Sequence, residues 1–89
     1  MIARRVQVFG RVQGVFYRAS TKNEADNLGL VGWVRNEKNG SVLIEAEGNE
    51  VAINQFIEWC KKGPQFANVT SMSVEEIDSL GMIEFEVRY

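Results

Sequence analysis

Near the middle of the chain, Asn39-Gly40 stands between two short runs of β-formers, Val31–Asn36 (VGWVRN) and Ser41–Glu47 (SVLIEAE). Asparagine followed by glycine is the pair best suited to positive φ, so the pattern predicts an antiparallel hairpin with its turn at Glu37–Gly40. In the second run Val42, Ile44 and Ala46 share one side, and Leu43, Glu45 and Glu47 share the other. The hairpin therefore has an inward and an outward face. A lone hairpin is at best marginally stable in water, so the flanking segments must extend and cover it.

Both flanks supply a strand and a helix. Upstream, Arg4–Phe9 alternates Val6 and Val8 against Arg5 and Gln7, a strand of period two. Gly10–Val15 reads as a loop. Tyr17–Leu28 favours helix, with Ala25 and Leu28 as apolar positions and Gly29 as the stop. Thr21-x-x-Glu24 has capping-box spacing but falls within that helix, so it sets no boundary. Downstream, Asn49–Lys62 carries Ile53, Phe56, Ile57 and Cys60 at helical spacing, with Lys61 and Lys62 suited to the C-terminal dipole and Gly63-Pro64 ending it. Asn68–Glu76 then alternates with Thr70, Met72 and Val74 on one side, and Met82–Arg88 with Ile83, Phe85 and Val87. The order β-α-β-β-α-β, with one extra C-terminal strand, is the α+β split β-α-β or ferredoxin-like sandwich. Both helices are expected on one face of a mostly antiparallel sheet. With 89 residues and no linker or repeat, one domain spanning 1–89 is expected.

Composition removes several chemistries. There is no histidine, which excludes imidazole bases, histidine triads and histidine metal ligands. A single cysteine, Cys60, excludes an internal disulfide and a thiolate cluster, and its helical stripe marks it as a core thiol. The net charge of −2 disfavours binding to nucleic acid or anionic membrane through a basic surface. No apolar run approaches the roughly 18 residues of a membrane span, and the N-terminus lacks a signal-peptide pattern. With the lone thiol, this predicts a cytoplasmic protein. Charge is nevertheless uneven: residues 1–35 carry six basic against two acidic side chains, net +4, and residues 36–89 four against ten, net −6. That bias fits either a scattered solvated surface or an anion site in the first third. Glu45, Glu47, Glu75, Glu76, Glu84 and Glu86 fall mostly at outward positions and are expected to be solvated. Trp33 and Trp59 are expected to pack in or beside the core, and Arg11 and Arg35 could steer an anion.

The joint between the first strand and the first helix, G10-R-V-Q-G-V-F-Y-R18, is where chemistry is expected. Successive N–H groups in a glycine-assisted loop form a nest for anions, a helix N-terminus adds partial positive charge, and Arg18 adds a planar fork of donors. The glycines equally suit a tight strand-to-helix turn with no ligand at all. A right-handed crossover makes the strands on either side of the helix parallel, so their C-terminal ends share one rim. The Gly10 loop and Asn36 then converge. An amide there can hold a water in line with a phosphorus atom, or simply introduce the hairpin turn. Ser20 and Thr21 lie near Arg18 but lack a base to activate them.

GRVQGVFYR, then LGLVGWVRN, the NG turn, the EAEG step, WCKKGP and the terminal FEVRY together resemble the acylphosphatase family, from about Arg5 to Tyr89. The resemblance implies a ferredoxin-like enzyme that hydrolyses the carboxyl–phosphate anhydride of acyl phosphates without metal or cofactor. It implies that Arg18 holds the phosphoryl group together with backbone N–H groups of Arg11, Val12, Gln13, Gly14, Val15, Phe16 and Tyr17. Asn36 would position the attacking water. The implied partner is a small acyl phosphate, with no nucleic acid and no membrane, and the chain is expected to be a monomer. Phe16-Tyr17 departs slightly from the pattern, a glycine or aromatic followed by phenylalanine, which bears on packing under the loop and on preference at the substrate rim. Two other readings use the same fold. One is a module that binds an anion without turnover. The other is an RNA platform, but the aromatic strand signature is missing and three residues, rather than two, separate the loop glycines.

Overall fold

Strand β3 (Val42–Gly48) lies at the centre of a five-stranded sheet in the computed structural model, which describes residues 1–89. Its Val42, Ile44 and Ala46 are fully buried, as their alternation predicts. Strands β1 (Ile2–Arg11) and β2 (Val31–Asn36) flank β3, each antiparallel to it, and are therefore parallel to one another. Strand β4 (Asn68–Ile77) pairs antiparallel with the other side of β1, and β5 (Phe85–Arg88) pairs parallel with β2. The sheet order is β4-β1-β3-β2-β5. Helices α1 (Tyr17–Asn27) and α2 (Glu50–Lys62) pack on one face. Tyr17 and Ala25 of α1 and Ala52, Ile53, Phe56 and Cys60 of α2 share one core with Val6, Val8, Val34, Val42 and Ile44 of the sheet. This is the ferredoxin-like α+β fold. Each large apolar side chain buried there contributes about 1.5–3 kcal/mol.

Helix ends follow local chemistry. Asn49 caps α2, its Oδ1 accepting from the Ala52 N–H at 2.8 Å, a contact worth ~1 kcal/mol. At the other end Gly63 takes φ 69° and donates its N–H to Trp59 O at 2.8 Å. Pro64 has no N–H for the next carbonyl, that of Cys60, and the Tyr17 hydroxyl donates to it instead at 2.7 Å. In α1 the buried stripe is Tyr17, Thr21 and Ala25, with Leu28 half-buried. Thr21 lies inside the helix and donates its hydroxyl to Tyr17 O at 2.7 Å, so its capping-box spacing is incidental.

Four expectations change. Across the β1–β4 pair Phe9 faces Ser71 but Gly10 faces Val69, so Thr70 is an extra residue bulged out of β4. Val69 rather than Thr70 therefore packs on the core with Met72, and Val74 is largely exposed. The last strand begins at Phe85 rather than Met82, leaving Ile83 exposed. The hairpin turn puts only Gly40 at positive φ. Asn39 serves it through its side chain, accepting from the Ser41 N–H at 3.0 Å, while the Glu37 N–H reaches Ser41 O at 2.8 Å.

The outward glutamates of β3 are the fourth. Glu45 and Glu47 are only 8% and 7% exposed, although the sheet face they occupy carries no helix. Glu45 is covered by Arg5, whose Nε and Nη2 lie 2.7 and 2.6 Å from its Oε2. Glu47 is covered by the chain after β4: Ser79 donates its hydroxyl at 2.7 Å and Leu80 its N–H at 3.1 Å. Those two hydrogen bonds favour the ionised form and hold the Glu47 carboxyl below the usual carboxylate range. Glu75, Glu76 and Glu84 are exposed as expected. Trp33 is buried on this same face, flanked by the guanidinium carbons of Arg35 and Arg88 at 5.0 and 4.9 Å from its ring. Trp59 is half-buried beside Tyr17 and Phe56.

Candidate active site

Val8, the last residue of β1 to pair with β3, and Asn36, the last of β2, both face Val42 of β3, so the two strands run out toward one rim. The loop from Val12 to Phe16 leaves β1 at that rim and enters α1. Its side chains hold it in place. Val12, Val15 and Tyr17 are buried, and the Gln13 amide donates to Glu37 O at 2.8 Å and Ser41 O at 2.9 Å, tying the loop to the hairpin turn. Gly14 adopts φ 74°, and Phe16, at φ 64° and ψ 22°, is the single non-glycine residue of the chain at positive φ. For a side-chain-bearing residue that conformation costs roughly 1–2 kcal/mol.

The consequence is a run of undirected donors. From Val12 through Ala19, no backbone N–H donates to a protein acceptor; the next in line, that of Ser20, reaches Phe16 O at 3.0 Å. Phe16 occupies the N-cap without a side-chain cap, so the helix's own terminal N–H groups stay free as well. Left- and right-handed residues in succession turn such N–H groups toward a common point, which is the geometry of an anion nest.

Arg18 lies in the first turn of α1. Its Nη1 donates to Arg88 O at 3.1 Å and its guanidinium carbon lies 4.6 Å from the centre of the Tyr89 ring. The remaining guanidinium N–H groups have no protein acceptor. Across the cleft the Oδ1 of Asn36 is buried and has no hydrogen-bond partner. A buried amide oxygen left so costs about 1–3 kcal/mol, which a polar ligand or water would recover. Arg18 and Asn36 line one cavity of about 280 Å³, together with Gly14, Phe16, Tyr89 and the apolar Val12 and Val87.

The residues expected at the site thus fall into three groups. Arg18, Asn36, Val12, Gly14, Phe16 and Tyr17 line the cavity. Gln13 and Val15 support the loop from behind. Arg11 belongs to the β1 ladder opposite Asn68 and lies outside the cavity. Val87 and Tyr89 were not expected. Parallel pairing of β5 with β2 brings Arg88 beside Arg35, and with it the end of β5 to the same rim. No three cysteine, aspartate or glutamate side chains converge where they could share a metal ion. Cys60 lies in the core, where burial pushes its thiol up to about 12. No helix is long and apolar enough to cross a membrane.

Fold and cleft define a class: a small ferredoxin-like domain with a cleft lined by an arginine and an amide at one rim of its sheet. The acylphosphatase family model matches residues 4–87. An acylphosphatase from Methylococcus capsulatus is 47% identical over 83 residues, covering 92% of this chain and 90% of the relative. The crystal structure of acylphosphatase from Bacillus subtilis superposes with a TM-score of 0.96 at 46% identity, covering 100% of both chains. An acylphosphatase structure from Coxiella burnetii gives 0.95 at 39% identity, covering 98% of this chain and 92% of that one. The chain belongs to the acylphosphatase family.

Proposed function

We propose that the protein hydrolyses acyl phosphates to a carboxylate and inorganic phosphate, with no metal or cofactor, acting on small molecules in the cytoplasm as a single-domain monomer. One observation carries the reading: a guanidinium with unused donors, a run of free backbone N–H groups and an unpartnered amide oxygen face one small cavity. The phosphoryl oxygens sit in the nest from Val12 to Tyr17 and against Arg18. The Asn36 Oδ1 accepts a hydrogen bond from the attacking water and turns its lone pair toward phosphorus.

Chemistry then asks little more of the protein. The water oxygen bonds to phosphorus while the bond from phosphorus to the acyl oxygen breaks, and that electron pair leaves with the carboxylate. A phosphoryl oxygen takes the proton of the water. The carboxylate is a good leaving group, so no strong base is required, consistent with a chain that has no histidine. Phosphoryl transfer is mainly positioning and stabilisation of charge on the equatorial oxygens. Asn36 supplies the first, and Arg18 with the N–H groups supplies the second.

The test follows loss of benzoyl phosphate in the presence of chelator. Removing Arg18 (Arg18→Ala) lowers kcat by at least about 10²–10³-fold and weakens phosphate binding, because the contact exists before and during reaction. Asn36→Ala lowers kcat by a similar factor with phosphate affinity retained. Near-normal kcat in the Asn36 variant refutes its role. Phosphate binding with no turnover by the parent chain makes the domain an anion-binding module instead.

A further inference from the structure

Two of the chain's exposed large apolar residues lie at this one cavity. Phe16 is 76% exposed and Tyr89 is 99% exposed, and both line it. Neither exposure is explained by packing. Phe16 holds a left-handed backbone that glycine would adopt without strain, yet its ring gains almost no burial in return. Tyr89 lies beyond β5, with its ring against the Arg18 guanidinium.

Resting on the reading of the site as an acyl phosphate hydrolase, we propose that Phe16 and Tyr89 form the subsite for the acyl group and select planar, apolar acyl phosphates over small or charged ones. The geometry follows from the anchor. With the phosphoryl group held by the nest and Arg18, the acyl group has to project toward the cavity mouth. The Tyr89 ring is stacked on the guanidinium that binds the phosphoryl group, and Phe16 belongs to the loop that cradles it. Val87 adds a further apolar wall. Arg18 is the one charged side chain lining this cavity and is taken up by the phosphoryl group, so a charged acyl group would lose hydration with no charged side chain left to pair with. An aryl ring entering between Phe16 and Tyr89 gains stacking contacts that a methyl group cannot make.

The experiment measures selectivity. Benzoyl and acetyl phosphate are compared by kcat/KM, and phenylphosphonate and methylphosphonate by inhibition constant or direct binding, in the parent chain, Phe16→Gly and Tyr89→Ala. Both sites are exposed, and circular dichroism checks that the variants fold. The parent prefers the aryl member of each pair. Each substitution lowers that preference about three- to tenfold, the factor expected for one aromatic contact. Tyr89→Ala also lowers rates on both substrates by loosening Arg18, but the ratio is the readout. An unchanged ratio in both variants overturns the proposal, even if all rates fall. If the parent hydrolyses neither substrate, the functional reading fails on its own. The phosphonate ratio still decides the subsite: equal affinities in the parent overturn it.

Discussion

Replacing Tyr17 by phenylalanine removes one oxygen from the junction between the two helices. The Tyr17 hydroxyl is the sole donor to Cys60 O, because the residue four positions on is Pro64 and the Gly63 N–H is used by Trp59 O. Tyr17 is 1% exposed, so water cannot take over. Burial holds its hydroxyl protonated far above the ordinary tyrosine range, and it remains a donor at any pH of interest. The ring itself packs on Trp59 at 5.6 Å between centroids and against Gly63, where an added Cβ would come within 2.6 Å of it. Phenylalanine preserves those contacts, so the difference isolates the hydroxyl. Loss of the hydrogen bond and a carbonyl left unpaired together cost about 2 kcal/mol. For a domain of this size that lowers Tm by roughly 10 °C. Equilibrium urea unfolding followed by far-UV circular dichroism should show a midpoint lower by about 1 M, with an unchanged slope. A loss below ~0.5 kcal/mol would refute the claim that Tyr17 substitutes for the donor that proline lacks.

Gln13→Ala removes both ties between the loop and the hairpin turn, but Glu37 O and Ser41 O keep their backbone donors, Gly40 and Glu37. Its stability cost is therefore only about 1 kcal/mol, whereas phosphate affinity by calorimetry drops several-fold because the nest loses its alignment. Glu47 has its folded-state pKa depressed, so its contribution is complete above the ordinary glutamate value and is lost as pH falls through the folded one. Glu47→Gln is accordingly less stable than the parent at pH 7, and urea midpoints of the two converge as pH drops below about 4. Cys60, with its buried thiol shifted up to about 12, should resist a thiol reagent at pH 8 in the folded chain and react at once in denaturant; rapid labelling of the folded protein would contradict the core placement.

How far the sequence could be read depended on whether a feature is local. The β2–β3 hairpin and the inward faces of Val42, Ile44 and Ala46 were legible because period two acts over adjacent residues. Arg18 and Asn36 could be brought together because crossover handedness is a general rule, and the two side chains line one cavity. The bulge at Thr70 was hidden, since it belongs to a pair of strands rather than to one. Alternation placed Glu45 and Glu47 on the outward face but could not show that Arg5 and the Ser79–Leu80 segment cover it. Tyr89 was missed for a related reason. Nothing within FEVRY indicates that β5 lies beside β2 and parallel to it.

That parallel pairing gives the cleft a place in time as well as in space. The Arg18 guanidinium is steadied by Arg88 and Tyr89, about as far along the chain as this sequence allows. Strands β1 to β4 all join by antiparallel neighbours, whereas the four-residue β5 adds parallel to β2 at the edge of the sheet. Both edge strands, β4 and β5, pair across long separations, which come with folding on the order of milliseconds to seconds, and β5 is the shorter of the two and the one in the weaker parallel pairing. A chain in which every other strand has settled already holds Arg18 and Asn36, yet its cleft lacks a wall and its guanidinium lacks a seat. Competence to bind is then a report on the last strand to dock, and refolding monitored by ligand should lag behind refolding monitored by the core.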